Sequence, residues 1–263
     1  MELVDEGTKG DFFKLLERQG IAFQTVGMTA PKARSSSEEK LLEAHGTTVI
    51  AVKFKDGVLN VADRRATASN LILYEEAEKI MPLDDYTLIA IAGSYAAAME
   101  AVRFLQHSFK YYARSQLQDM SLEGKLSEVS RVLSRSVPGA LQGMGGFLPI
   151  ISAYDHKSRE GRIFFYDLLG ARFESREFGA AGSGAERIRG AFDYIVRTRG
   201  PFHEMALDDA LRETLLLLDI AAGLDTATGG LGRVPPLAKT ITAEGVADVP
   251  EEQMKALQRK LVQ

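Results

Sequence analysis

The stretch Gly46-Thr47-Thr48-Val49-Ile50-Ala51-Val52 decides how the rest of the chain is read. Thr, Val and Ile dominate it, and β-branched residues suit a pleated, packed surface, so it reads as a strand. What precedes it has a different character. Pro31-Lys32-Ala33-Arg34-Ser35-Ser36-Ser37-Glu38-Glu39-Lys40 is polar and poor in apolar side chains, as a linker is. A well-formed domain thus begins abruptly at Thr47. One reading is that the chain is cut between Gly46 and Thr47, which leaves Thr47 with both a hydroxyl and a free α-amine. A Thr hydroxyl is a poor nucleophile until a base takes its proton, and a neighbouring N-terminal amine can be that base. Such an amine titrates near about 8, so it is substantially neutral at cellular pH. A backbone amide nitrogen cannot accept the proton, so on this reading the uncut chain is inactive. The other reading is that Gly-Thr-Thr simply opens a strand, and the stretch taken alone favours it.

Composition narrows the possibilities. The chain has 263 residues, enough for one large domain or two small ones. Its 45% hydrophobic and 26% charged content is that of an ordinary globular protein. A net charge of -4 and a pI near 5.7 argue against a nucleic-acid binder, which usually carries a basic face. There is no cysteine, which excludes disulfides, thiolate catalysis and Cys-ligated zinc. The four histidines, His45, His107, His156 and His203, show no metal-ligand spacing, and no metal or cofactor is expected. The Gly-x-Ser-x-Gly elbow is absent because Ala181 stands two before Ser183, and there is no Walker loop. No apolar run approaches the roughly 20 residues of a membrane span, and Met1-Glu2-Leu3-Val4-Asp5-Glu6 lacks a signal-peptide core. The expected location is the cytoplasm.

Residues 1–46 read as a separable leader, with one short amphipathic patch at Phe12, Phe13, Leu15 and Leu16. From Thr47 the period is two. Strands are expected at 47–55 and 58–63 around an Asp56-Gly57 turn, followed by a polar connection over 64–70. A second hairpin is expected over about 77–92, turning at Asp84-Asp85. The period then becomes 3.6, and helices are expected at 96–118 and 122–141, the second ended or kinked by Pro138. Strands return at 148–154, 162–167 and 172–178. Gly182-Ser183-Gly184 leads into a helix over 185–198, and Leu207-Asp208-Asp209 caps another reaching about 222. A hairpin at 237–242 and 245–248 and a helix opened by Pro250 close the chain. Strands in blocks joined by short turns mean antiparallel sheets. The expected fold is α+β, a four-layer α/β/β/α sandwich of two antiparallel sheets with helices outside each.

Several ordered motifs then fall together: Thr47-Thr48-Val49-Ile50-Ala51, Ala62-Asp63-Arg64-Arg65-Ala66-Thr67, Lys79, Ile91-Ala92-Gly93, Gly182-Ser183-Gly184, and Asp225-Thr226-Ala227-Thr228-Gly229-Gly230. In these the chain from Thr47 onward resembles the β-type subunits of the 20S proteasome, most closely the actinobacterial form. The spacing from Thr47 to Asp63, Lys79 and Gly93 is that of the family without gaps. The resemblance implies an N-terminal-nucleophile hydrolase, a threonine endopeptidase whose propeptide, residues 1–46, is removed by self-cleavage at Gly46-Thr47. It implies Thr47 as nucleophile with its own amine as proton acceptor, Lys79 beside the hydroxyl, and Asp63 as partner of Lys79. The N–H of Gly93 is implied as the oxyanion hole, and Ser183, Asp225 and Thr228 as supports of the amine. Many relatives carry Ser at the Thr228 position, and Thr keeps the hydroxyl.

By the same offset, Ala66, Ala77, Met81, Ile91, Tyr95 and Met99 are expected to line the pocket for the side chain before the cut bond, with Thr67 and Gly93 against substrate backbone. These residues are small or apolar, so an apolar preference is expected. The implied partners are other β subunits in a heptameric ring, α-type subunits, a ring ATPase or other activator, and unfolded protein substrates. Each residue also has a plainer reading. Asp63-Arg64-Arg65 could be a strand end with surface charges, Lys79 a solvated ion-pair partner, and Gly182-Ser183-Gly184 a helix cap or an anion-binding turn. The competing assignments are an HslV-type two-ring peptidase, a non-catalytic structural ring subunit and an α-type gate subunit. The long leader and the segment after Gly230 weigh against the first. The joint presence of Thr47, Asp63 and Lys79 weighs against the second. Residues 1–46, which do not read strongly as a packed helix, weigh against the third.

Overall fold

A computed structural model describes residues 47–68, 71–141, 145–232 and 234–261. The expected leader, with its Phe12–Leu16 patch and Gly46, lies outside the described residues, as do Ser69, Asn70, Gly143 and Met144.

Twelve strands and five helices follow one another in the described chain. Strands β1 (Thr48–Phe54) and β2 (Gly57–Ala62) form the first hairpin. Strands β3 (Ala66–Ala68) and β4 (Leu71–Tyr74) pair as a small ribbon. Strands β5 (Ile80–Asp84) and β6 (Thr87–Gly93) form the second long hairpin. Helices α1 (Tyr95–Gln116) and α2 (Leu122–Leu141) come next. Then follow β7 (Phe147–Asp155), β8 (Glu160–Tyr166), β9 (Arg172–Ser175) and β10 (Phe178–Gly182). Helices α3 (Ala185–Arg199) and α4 (Leu207–Leu224) are separated by a 3-10 turn at Phe202–Glu204. Strands β11 (Leu237–Thr242) and β12 (Gly245–Asp248) and helix α5 (Glu251–Leu261) complete the chain.

The strands make two five-stranded antiparallel sheets, ordered β10-β1-β2-β11-β12 and β5-β6-β7-β8-β9, besides the β3-β4 ribbon. Strand β1 is apolar on both faces, and the two faces feed different cores. Ile50, Val52 and Phe54 pack with Ile188 and Phe192 of α3 and Leu211, Leu215 and Leu218 of α4. Val49 and Ala51 pack with Leu88 and Ala90 of β6 and Ile150 and Ile163 of β7 and β8, which belong to the other sheet. A third cluster joins Ile89, Ile151 and Phe164 of that second sheet to Val102, Leu105 and Phe109 of α1 and Leu126, Val129 and Leu133 of α2. A strand buried on both sides needs an unbroken apolar run, not an alternating one, and Val49-Ile50-Ala51-Val52 supplies it.

Three expectations are corrected. The stretch 64–70, read as a polar connection, contains β3 and leads into β4. The strand expected over 172–178 is two strands: β9 ends at Ser175 on one sheet and β10 begins at Phe178 on the other. The period-two pattern of Phe173 and the run to Phe178 reads as one strand, but a bend at Arg176-Glu177 and a change of hydrogen-bonding partner separate the halves. Helix α2 has the expected bounds, Leu122–Leu141, with Pro138 inside it. Helix α4 is preceded by Ala206, which makes no side-chain cap. Asp208 and Asp209 lie inside its first turn, where carboxylates favour the positive end of the helix dipole.

Candidate active site

The site forms where several elements end together. Strand pairing sets its frame. Val49 lies opposite Ala62 and Thr48 opposite Gly182, so β1 carries Thr47 between the loop after β2 and the loop after β10. Asp63 follows β2 directly and its N–H donates to the Thr48 carbonyl at 3.1 Å. Lys79 immediately precedes β5, and its carbonyl accepts from Ile91 N–H at 2.9 Å, which ties it to β6. Gly182 must lack a side chain, because a Cβ there would stand 1.7 Å from the Thr47 carbonyl oxygen. Thr47 itself is 4% exposed.

Asp63 and Lys79 form a buried ion pair. Lys79 Nζ donates to Asp63 Oδ1 at 2.9 Å and to the Arg65 carbonyl at 2.5 Å. Their side chains are 2% and 0% exposed, which excludes the solvated reading of Lys79. The carboxylate is saturated with donors. Oδ1 also accepts from Thr48 N–H at 2.8 Å, and Oδ2 accepts from the N–H groups of Arg65 and Gly229, each at 2.9 Å. Burial pushes the Lys79 ammonium below its ordinary pKa, a shift that Asp63 opposes and the Arg65 charge reinforces. The pair thus joins a cation that is easier to deprotonate to a carboxylate anchored by three backbone amides.

A second polar group adjoins the first. Ser183 Oγ and Thr228 Oγ1 each donate to Asp225 Oδ2 at 2.5 Å, and Ala227 N–H reaches Asp225 Oδ1 at 3.3 Å. Partial burial pushes the Asp225 carboxyl up. The hydrogen bonds from Ser183, Thr228 and Ala227 together outweigh this and leave it below its ordinary value. Gly93 ends β6 with φ +108°, a backbone that favours glycine, and a Cβ there would stand 2.5 Å from the Gly146 carbonyl.

Of the residues expected around the cut bond, Met81 of β5, Ile91 of β6, and Tyr95 and Met99 of α1 share one apolar cluster. Ala66 and Ala77 stand outside that cluster; Ala66 lies on β3 opposite Tyr74, and buried Ala77 donates to the Arg64 carbonyl at 2.9 Å. Thr67 is buried on β3. Larger hollows lie elsewhere. One of about 1200 Å³ borders Lys53, Lys55, Glu177 and His203, whereas the space beside Asp63, Arg65 and Gly229 is about 20 Å³. Cavity size therefore does not locate this chemistry; the buried charges do. The sequence reading missed two participants. Thr48 looks like any strand residue, and Arg65, read as a surface charge, donates from its guanidinium to the carbonyls of Thr226 (3.1 Å) and Thr228 (3.4 Å).

The profile of the family described as "Proteasome subunit" matches residues 43–234. Proteasome subunit beta 2 of Thermomonospora curvata is 34% identical over 221 residues, covering 83% of this chain and 77% of the relative. Proteasome subunit beta 1 of Streptomyces avermitilis is 35% identical over 226 residues, again 83% and 77%. The proteasome subunit beta of Frankia casuarinae is 32% identical over 229 residues, covering 86% and 81%. The chain belongs to the proteasome subunit family, as one of its β-type members.

Proposed function

We propose that this chain is the proteolytic β subunit of a 20S proteasome core, a threonine endopeptidase made as a precursor. The observation that carries the reading is the buried Lys79–Asp63 pair, held where β1 begins and Thr47 stands. Two facing sheets with helices outside each, the α/β/β/α sandwich of an N-terminal-nucleophile hydrolase, account for the three core clusters. In the precursor the Thr47 nitrogen is an amide and cannot act as a base. Maturation begins when Thr47 Oγ attacks the Gly46 carbonyl. The C–N bond breaks, an ester forms, and water then releases residues 1–46 and leaves a free amine.

In the mature subunit that amine takes the Thr47 hydroxyl proton as Oγ attacks the scissile carbonyl. The N–H of Gly93 stabilises the oxyanion. The amine then gives its proton to the leaving nitrogen, and water hydrolyses the acyl-enzyme. Lys79, with its lowered pKa, favours the deprotonated hydroxyl, and Asp63 orients it. The depressed pKa of Asp225 keeps it anionic, which suits a group that holds an ammonium together with Ser183 and Thr228. The apolar grouping of Met81, Ile91, Tyr95 and Met99, with Ala66 and Ala77 nearby in sequence, favours an apolar side chain before the cut bond, and Thr67 binds substrate backbone.

Family membership also suggests the setting: a heptameric β ring stacked against α-type subunits, fed with unfolded proteins by a ring ATPase, in the cytoplasm. No helix among the described residues is long and apolar enough to cross a membrane. Confinement would hold an unselective peptidase away from other proteins. The test is intact mass and peptide hydrolysis for the chain produced with an α-type partner, beside Thr47→Ala. The native chain should lose residues 1–46 and cut apolar fluorogenic peptides faster than acidic or basic ones. Thr47→Ala should keep its leader, and hydrolysis should fall by at least about 10³-fold. A native chain that keeps its leader in the full ring would make a non-catalytic ring subunit the better reading.

A further inference from the structure

The roles proposed above fall into two groups, Asp63 with Lys79 and Ser183 with Asp225 and Thr228. Thr48, fully buried and covalently next to Thr47, is bonded to both. Its N–H donates to Asp63 Oδ1 at 2.8 Å, and its hydroxyl lies 2.7 Å from Thr228 Oγ1. The direction of that second bond follows from its neighbour. Thr228 has one hydroxyl hydrogen and donates it to Asp225 Oδ2, which as a carboxylate can only accept. The hydrogen between the two threonines is therefore that of Thr48. The result is a donor chain, Thr48 to Thr228 to Asp225, meeting Ser183 at the same oxygen. Hydrogen bonds in such a chain polarise one another, most of all when it ends on a charge.

The surroundings are shaped to leave room for it. A Cβ on Gly184 would stand 2.3 Å from Thr48 Oγ1 and 2.9 Å from Thr228 Oγ1. Packing alone does not call for a hydroxyl at this position. Valine has nearly the same shape, and without the Thr48 hydroxyl Thr228 still donates to Asp225, so no buried donor is stranded.

The geometry points to Thr48 as a positioning residue: its amide anchors Asp63, and its hydroxyl orients Thr228 and Asp225. One residue bonded to the nucleophile thereby sets both groups in register with it. This inference rests on the proposed threonine peptidase reading.

The test uses the full chain assembled with its α-type partner and compares Thr48→Val, Thr48→Ser and Thr48→Ala. The readouts are kcat and KM on an apolar fluorogenic peptide and the rate of leader removal by intact mass. Thr48→Val should assemble, lower kcat by about 3- to 10-fold with KM unchanged, and slow leader removal by a similar factor. Thr48→Ser should restore both. A purely structural role would not produce a kcat effect that follows one oxygen atom. Thr48→Val within twofold of the native chain overturns the inference, and so does Thr48→Ser falling as far as Thr48→Val. If Thr48→Val does not assemble, the Ala and Ser variants, which differ only by that oxygen, decide in the same way. Failure of the peptidase reading would look different, because the native particle itself would then keep its leader and cut nothing.

Discussion

Two groups of ion pairs stand at opposite ends of β2, and they differ in what the fold makes of them. At one end Lys79 meets Asp63, with side chains 2% and 0% exposed. At the other, beside Gly161 where it packs on Gly57, Arg162 bonds Glu174 at 2.7 Å and Asp155 at 3.3 Å, with Arg162 and Glu174 22% and 41% exposed. The Arg162 hydrogen bonds to Glu174 push its guanidinium further up, and the same bonds hold the Glu174 carboxyl down. Both shifts there favour the ordinary charge of the group. Burial drives Lys79 the other way, toward losing its proton. Water decides the difference: the exposed pair is solvated and needs little else, whereas the buried pair must be satisfied by protein.

The largest effect that would break this comparison comes from Lys79→Met. It keeps the volume but leaves Asp63 buried without its cation, and unfolding in urea should show a loss of about 3 kcal/mol. Peptide hydrolysis should fall by about 10² or more. A loss no larger than that of a surface charge would mean that water reaches Asp63.

The next effect is on pH dependence. The Lys79 pKa is lowered by folding, so between that lowered value and the ordinary 10.5 the unfolded chain binds the extra proton. Its burial therefore costs stability below the folded pKa, and the cost fades as pH rises through that window. Urea midpoints measured from pH 7 to pH 10 should rise less with pH in Lys79→Met than in the native chain. Equal slopes would place the lysine titration at its ordinary value.

The smallest effect is at the other end. Arg162→Ala should change stability by about 1 kcal/mol or less, shrink further at high salt, and leave peptide hydrolysis unchanged. A larger loss would show that the Arg162 cluster is coupled to the inter-sheet core.

Much of this was legible in the sequence because it is local. The switch from alternating to helical period at Ser94, where the Ser94 side chain caps α1, marks the end of β6. The turns expected at Asp84-Asp85 and Glu244-Gly245 fall one residue away, at Asp85-Tyr86 and Ala243-Glu244, because Asp, Gly and their neighbours mark a reversal without fixing its register. The constellation of Thr47, Asp63, Lys79 and Gly93 was readable only through the family resemblance, since local pattern alone leaves Lys79 a plain ion-pair partner; the structure places these residues at strand ends. Other features were hidden because they depend on partners far away in the chain. Nothing in Arg172-Phe173-Glu174-Ser175 and Phe178-Gly179-Ala180 says that the chain changes sheets between them. Leu71-Ile72-Leu73-Tyr74 forms a strand although all four side chains are exposed, so neither burial nor alternation announces it.

The sequence by itself determined most of the elements and their order, because periodicity and turn chemistry act within a few residues; β3, β4 and the break between β9 and β10 escaped it. Only the tertiary structure decided which of those residues are charged in water and which are held dry. Thr48, Asp63 and Lys79 became one network when β1 was enclosed between β10 and β2, because burial, unlike propensity, belongs to the packed whole.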